Sequence, residues 1–195
     1  MPTSPRILAF AGSTREGSFN KRLLKVGVAA AQAAGAEVTS IDLRDYPMPL
    51  YDGDLEQREG LPEPAKRFKD LMLSHQALLI ASPEYNSGPS GVLKNAIDWA
   101  SRGDPPGASL AAFRGKVAGL LSASPGALGG LRGLVHVRSI LSSIDVLVIP
   151  EQFALSKANE AFDDATGALK DPKAQASVRR VAERLATVLR KLSAD

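Results

Sequence analysis

The chain of 195 residues has no cysteine, two histidines, one tryptophan and few aromatic residues of any kind, 5% in all. Without cysteine there is no disulfide, thiolate metal site or cysteine nucleophile, which suits a reducing compartment such as the cytoplasm. His75 and His136 stand far apart in the sequence, so a histidine metal site is not expected. Aromatics this sparse leave little for base stacking. The net charge of +3 comes from 24 basic and 21 acidic residues spread among one another, so nucleic acid is not an expected partner. No apolar window approaches the ~20 residues of a membrane span. No long apolar stretch follows a basic segment near the start, so neither a membrane anchor nor a signal peptide is expected. What is present is an ordinary globular composition, 44% hydrophobic and 23% charged. It is long enough for one domain, residues 1–195, with a substantial core.

The apolar segments alternate in type. Short runs predict strands at Arg6–Ala11, Glu37–Leu43, Ala77–Ser82, Lys116–Ser122 and Val146–Ile149, the last stopped by Pro150. Periodic stretches between them predict helices at Lys21–Ala34, Pro64–Ser74, Ser90–Ser101 and Gly130–Ser143. Residues 44–63 read as a long loop, and Gly103–Gly107 as a break. A last helix opens at Asp171-Pro172, an N-cap followed by an N1 proline. Five short apolar strands separated by helices imply a parallel sheet covered on both faces. Right-handed crossovers make it a doubly wound α/β fold, five strands in the order 2-1-3-4-5, with a ligand over the switch between strands 1 and 3.

The segment that follows the first strand reads Gly-Ser-Thr-Arg-Glu-Gly-Ser-Phe-Asn-Lys over residues 12–21. A strand, a polar turn and a helix N-terminus make an anion site, because the first-turn N–H groups lack intrahelical partners and carry partial positive charge. Ser13, Thr14, Ser18 and Asn20 add side-chain donors, and Arg15 adds a charged fork. Gly17 is followed by Ser-Phe rather than Lys-Ser/Thr, and Gly12 by Ser-Thr rather than x-Gly. Neither a triphosphate loop nor a dinucleotide fingerprint is present, and a mononucleotide phosphate fits better. The same residues also suit a capped turn with a solvated arginine.

Two further loops share the predicted sheet edge. Residues 82–90 run Ser-Pro-Glu-Tyr-Asn-Ser-Gly-Pro-Ser, and residues 122–130 run Ser-Ala-Ser-Pro-Gly-Ala-Leu-Gly-Gly. Such loops let backbone approach a flat ligand, although ordinary turn chemistry favours the same residue types. Three of them at matching strand ends favour a site.

In these residues the chain resembles the NAD(P)H-dependent FMN reductase family of flavodoxin-like fold, which includes flavin, quinone, azo-dye and chromate reductases. The resemblance rests on Gly-Ser-Thr-Arg-x-x-Ser-x-Asn after strand 1 and on Pro-Glu-Tyr-Asn-Ser-Gly-x-x-x-x-Leu-Lys-Asn-Ala-Ile-Asp-Trp after strand 3. It spans roughly residues 5–190, and is weakest over 103–115 and 151–170. It implies that Ser13, Arg15, Ser18 and Asn20 hold the FMN phosphate. Pro83, Glu84, Tyr85, Asn86, Ser87 and Gly88 would pass along the ribityl chain and isoalloxazine, and Ser122, Ser124 and Gly126 would line the other side. It further implies a cytoplasmic oxidoreductase that passes a hydride from NADPH or NADH to FMN and on to a flavin, quinone or similar small-molecule acceptor by a ping-pong scheme. A homodimer or homotetramer is implied as well. An electron carrier of flavodoxin type and a flavin-binding redox regulator are the alternatives.

No side chain is expected to be essential to the chemistry, since the three loops hold no histidine and the two loops along the ring, 82–90 and 122–130, hold one carboxylate, Glu84. Glu84 is expected to brace its loop, Trp99 to be core or interface, His136 to lie at a subunit contact, and the arginines of the last helix to form its solvated face.

Overall fold

The computed structural model describes residues 6–103 and 109–192. Five strands form one parallel sheet: β1 (Arg6–Ala11), β2 (Glu37–Asp42), β3 (Ala77–Ala81), β6 (Val117–Ala123) and β7 (Leu147–Leu155). Their order is β2-β1-β3-β6-β7, the expected doubly wound arrangement once a small hairpin, β4 (Glu84–Tyr85) and β5 (Gly88–Pro89), is set aside. The central strands β1, β3 and β6 are buried on both faces, which is why they read as unbroken apolar runs rather than alternating ones.

Helices cover both faces. On one side α1 (Phe19–Ala33) and α6 (Pro172–Leu192) pack over Ile7, Leu79, Leu121 and Ile149. On the other, α3 (Glu63–Ser74), α4 (Gly91–Ala100) and α5 (Leu131–Ser143) pack over Leu8, Phe10, Ile80 and Leu120. Asp171 caps α6 as the Asp-Pro pair predicts, its carboxylate accepting from the Lys173 N–H at 2.9 Å. Trp99 is fully buried with Leu61 and Ala65 beneath the 44–63 segment, and its indole N–H donates to the Pro49 carbonyl at 2.8 Å. Among the described residues no helix is long and apolar enough to cross a membrane.

Two expectations need correction. The segment expected as loop over 44–63 contains a helix, α2 (Gly53–Glu59), capped by Asp52. It buries no residue fully, so it leaves no apolar period in the sequence. The last strand does not stop at Pro150 but runs on to Leu155. β7 is an edge strand, and its register slips beside Pro150: Val148 faces Ala118, yet Gln152 already faces Leu120. Proline is tolerated at such a bulge because no ladder N–H is needed there. The Arg138 guanidinium donates to the Val148 and Ile149 carbonyls, at 3.0 and 2.9 Å, and so satisfies acceptors in the bulged stretch. The expected break at Gly103–Gly107 lies, from residue 104 on, outside the described residues.

Candidate functional site

β1 leads by way of α1 to β2 on one side, and β3 leads through α4 to β6 on the other. The loops after β1 and β3 therefore part at the sheet's carboxyl edge, the usual place for a ligand. Hydrogen bonds stitch the three loops together. The Gly12 N–H donates to Ala81 O at 2.9 Å, and Ser90 Oγ donates to Gly12 O at 2.6 Å. Ser122 Oγ donates to Ser82 O at 2.7 Å. The Asn20 amide joins the first loop to the third, donating to Ala123 O at 2.9 Å and accepting the Ala123 N–H at 3.0 Å.

Ser13, Arg15, Ser18, Asn20, Pro83, Glu84, Tyr85 and Ser124 line one cavity of about 140 Å³, together with Phe19, Ala123 and Pro125. Eight of the residues singled out from sequence thus meet at one place. Its volume falls below the ~300–1,000 Å³ of sites that enclose a whole ligand. It is the size of an anionic terminus, with the rest of a ligand left over the open floor beyond. A larger cavity of about 670 Å³ lies away from the loops, between α1 and α6.

The chemistry of the cavity is that of a donor set. α1 has no acidic residue in its first turn. The N–H groups of Thr14, Glu16 and Gly17 donate to no protein acceptor among the described residues, and neither does the Arg15 guanidinium. Ser18 caps α1 by accepting from the Lys21 N–H at 3.4 Å, which leaves its hydroxyl proton available. A phosphate dianion fits this set.

Two expected ligand residues have other work. Asn20 borders the cavity, and its amide braces the turn through two hydrogen bonds to Ala123. Ser122 is fully buried, its hydroxyl given to Ser82, and it underlies the floor rather than lining it. Asn86, Ser87, Gly88 and Gly126 lie outside the small cavity. Asn86 and Ser87 form the tight turn of the β4–β5 hairpin, with φ of 51° and 67°, the left-handed pair that a two-residue hairpin requires. Gly126 gives its N–H to Ser124 Oγ at 3.2 Å.

Glu84 braces, as expected. Its carboxylate accepts from Arg132 Nη2 at 2.7 Å and from the Gly133 N–H at 2.9 Å. Burial pushes the carboxyl up, but these two donors outweigh it and hold it below the ordinary carboxylate range. It is an anion with its charge spent, not a proton donor. His136 pins the turn of the same hairpin: its Nδ1–H donates to the Ser87 carbonyl at 2.8 Å. Arg132 and Gly133 escaped the sequence reading because they mark no motif; they matter only through the register of α5 against the hairpin.

The fold and the site define a class first: a flavodoxin-like α/β protein whose switch point gathers unpaired donors beside loops of exposed backbone. The family model for NADPH-dependent FMN reductase matches residues 5–160. The chain is 38% identical over 189 residues to an NAD(P)H-dependent FMN reductase of Pseudomonas aeruginosa, covering 96% of each. It is 33% identical over 171 residues to a quinone reductase of Escherichia coli, covering 85% of each. Its structure superposes with a TM-score of 0.80 on a flavoenzyme NAD(P)H:(acceptor) oxidoreductase of Paracoccus denitrificans, at 26% identity over 96% of this chain and 98% of that one. The chain belongs to the NADPH-dependent FMN reductase family, and is an oxidoreductase that uses FMN with NAD(P)H as electron donor.

Proposed function

We propose that the protein is a quinone or flavin reductase in which donor and acceptor occupy one open site in turn, by a ping-pong scheme. The observation that carries this is the contrast within the site: a cavity of about 140 Å³ bordered by Arg15 opens onto a floor whose charged side chain, Glu84, is already neutralised. FMN, when bound, supplies the two-electron chemistry. The chain's own residues anchor and orient. Ser13, Arg15, Ser18 and the free N–H groups of the turn hold the phosphate. Pro83, Glu84, Tyr85, Asn86, Ser87 and Gly88 present backbone along the rest of the ligand, and Ser124 and Gly126 close the far rim. Half-exposed Tyr85 and Leu128 flank this floor with apolar surface that suits a flat acceptor.

The test is steady-state kinetics with NADPH and a benzoquinone at several fixed concentrations of each. Parallel double-reciprocal lines support alternation at one site. Intersecting lines mean that both substrates are held together and overturn the scheme.

We propose an assembly and a compartment as well. Leu128, Leu131 and Val135 form an exposed apolar stripe, 51%, 42% and 57% accessible, along the start of α5 beside the hairpin. A second copy covers it, in a homodimer or a pair of homodimers that brings two sites to one boundary. The whole chain forms one flavodoxin-like domain, and the lack of cysteine suits the cytoplasm. A monomer in sedimentation at micromolar concentration, with full activity, excludes the dimer.

A further inference from the structure

The segment that leaves β2 carries a side chain that no motif marks. Arg44 sits in the single 3₁₀ turn Leu43–Asp45, whose start Asp42 fixes. The Asp42 carboxylate accepts the Arg44 N–H at 3.0 Å and the Lys21 ammonium at 2.5 Å. From that anchored position the guanidinium crosses to the turn after β1. Nε donates to the Thr14 carbonyl at 3.0 Å, Nη2 donates to the same oxygen, and Nη1 pairs with Glu16 Oε1 at 2.7 Å.

The pair is open to solvent, the Arg44 side chain 45% and the Glu16 side chain 86% accessible. An ion pair so exposed contributes little to folding stability. Its position is what matters. Thr14 and Glu16 are the two chain neighbours of Arg15, and Glu16 lies two residues before the α1 cap, Ser18. Hydrogen bonding from Arg44 keeps the Glu16 carboxyl below its ordinary range, so it is an anion under working conditions. A carboxylate in this turn competes for the N–H donors and for Arg15, and it repels a dianion. Arg44 takes the one carboxylate and one carbonyl of the turn as its own partners, and the donors remain.

We propose that Arg44 is a positioning residue for the FMN phosphate, acting by withholding Glu16 and the Thr14 carbonyl from the anion site. The proposal rests on the FMN reading above and adds a residue outside the three loops, on the far side of β1. It makes the phosphate turn a two-part device, in which α1 and Arg15 attract and Arg44 removes the competitor.

The experiment titrates flavin-free protein with FMN and, separately, with riboflavin, following flavin fluorescence. In Arg44→Ala the Kd for FMN rises about tenfold or more, and that for riboflavin stays within about threefold of the unsubstituted protein. The informative variant is Arg44→Ala combined with Glu16→Gln, in which removal of the freed carboxylate brings FMN back to within about threefold. Arg44→Lys keeps the charge without the fork and falls between. Equal loss of FMN and riboflavin in Arg44→Ala means that the residue only shapes the loop, and overturns the proposal. So does an unchanged Kd, or a double variant no better than Arg44→Ala. If the unsubstituted protein itself binds riboflavin as tightly as FMN, the phosphate reading fails, and that result precedes any substitution.

Discussion

The two ends of the candidate site use their side chains in opposite ways. At the turn after β1, the Arg15 guanidinium and the N–H groups of Thr14, Glu16 and Gly17 are left without protein partners among the described residues. At the loops after β3 and β6 the polar side chains are already spent on the protein: Glu84 on Arg132 and Gly133, Ser90 on Gly12, Ser122 on Ser82, His136 on Ser87. In the proposed function the first end recognises charge and needs groups kept free. There the second recognises a flat shape and needs groups kept rigid, because a backbone surface is only as well placed as what holds it. One lesson is that a free polar group and a satisfied one mark different parts of the same site.

Substitutions that break this contrast fall in order of size. The largest effect is at the rigid end. Gly129 has φ +62°, and a Cβ there would lie 2.6 Å from the Leu155 carbonyl carbon and 2.7 Å from Ser156 N, backbone that cannot step aside. Gly129→Ala should cost about 3 kcal/mol or more, read from the urea midpoint, with flavin binding lost only in step with folding. At the free end Arg15→Ala should leave the midpoint unmoved and weaken FMN by ~1.5–3 kcal/mol, the range for a charged hydrogen bond, while riboflavin binding is unchanged. Loss of both flavins alike would erase the distinction between the ends.

Smaller effects sharpen it. Glu84→Gln and Tyr85→Phe should each leave reduction by NADPH within about tenfold in stopped flow at saturating FMN, or ~1.4 kcal/mol in barrier. A thousandfold loss with FMN still bound would show that a protein acid or base takes part. The smallest effect is a pH trend. The Glu84 carboxyl titrates below its unfolded value, so the stability it contributes is fully present above the ordinary carboxylate range and is lost as pH falls from that range through its lowered folded value. The unsubstituted protein should therefore exceed Glu84→Gln in stability at pH 7, and the gap should close as the pH is lowered past ~4.

What could be read in the sequence follows the same division. β1 falls at Arg6–Ala11 as expected because it is central and apolar throughout, and the Ser18 cap is written in the residues that make it. Local chemistry of that kind is visible without a fold. The β4–β5 hairpin has two residues per strand and no period, so it is visible only through Asn86 and Ser87 as turn formers. The brace from the Asn20 amide is not legible, because its partner is Ala123, 103 residues on, and only the packed sheet brings them together. Arg44 is hidden for the same reason: its partners belong to a loop 28 to 30 residues earlier. β7 continues past Pro150 because Arg138, on another element, supplies the donors that the bulge requires.

The hairpin that α5 clamps through Glu84 and His136 has a further consequence, for substitution around the site. A floor made of main-chain atoms does not change when its side chains do. The exposed positions around it, Tyr85, Leu128 and Leu131, do not hold the hairpin in place. A substitution at any of these side chains leaves the Glu84 and His136 anchors, and so the shape of the platform, in place.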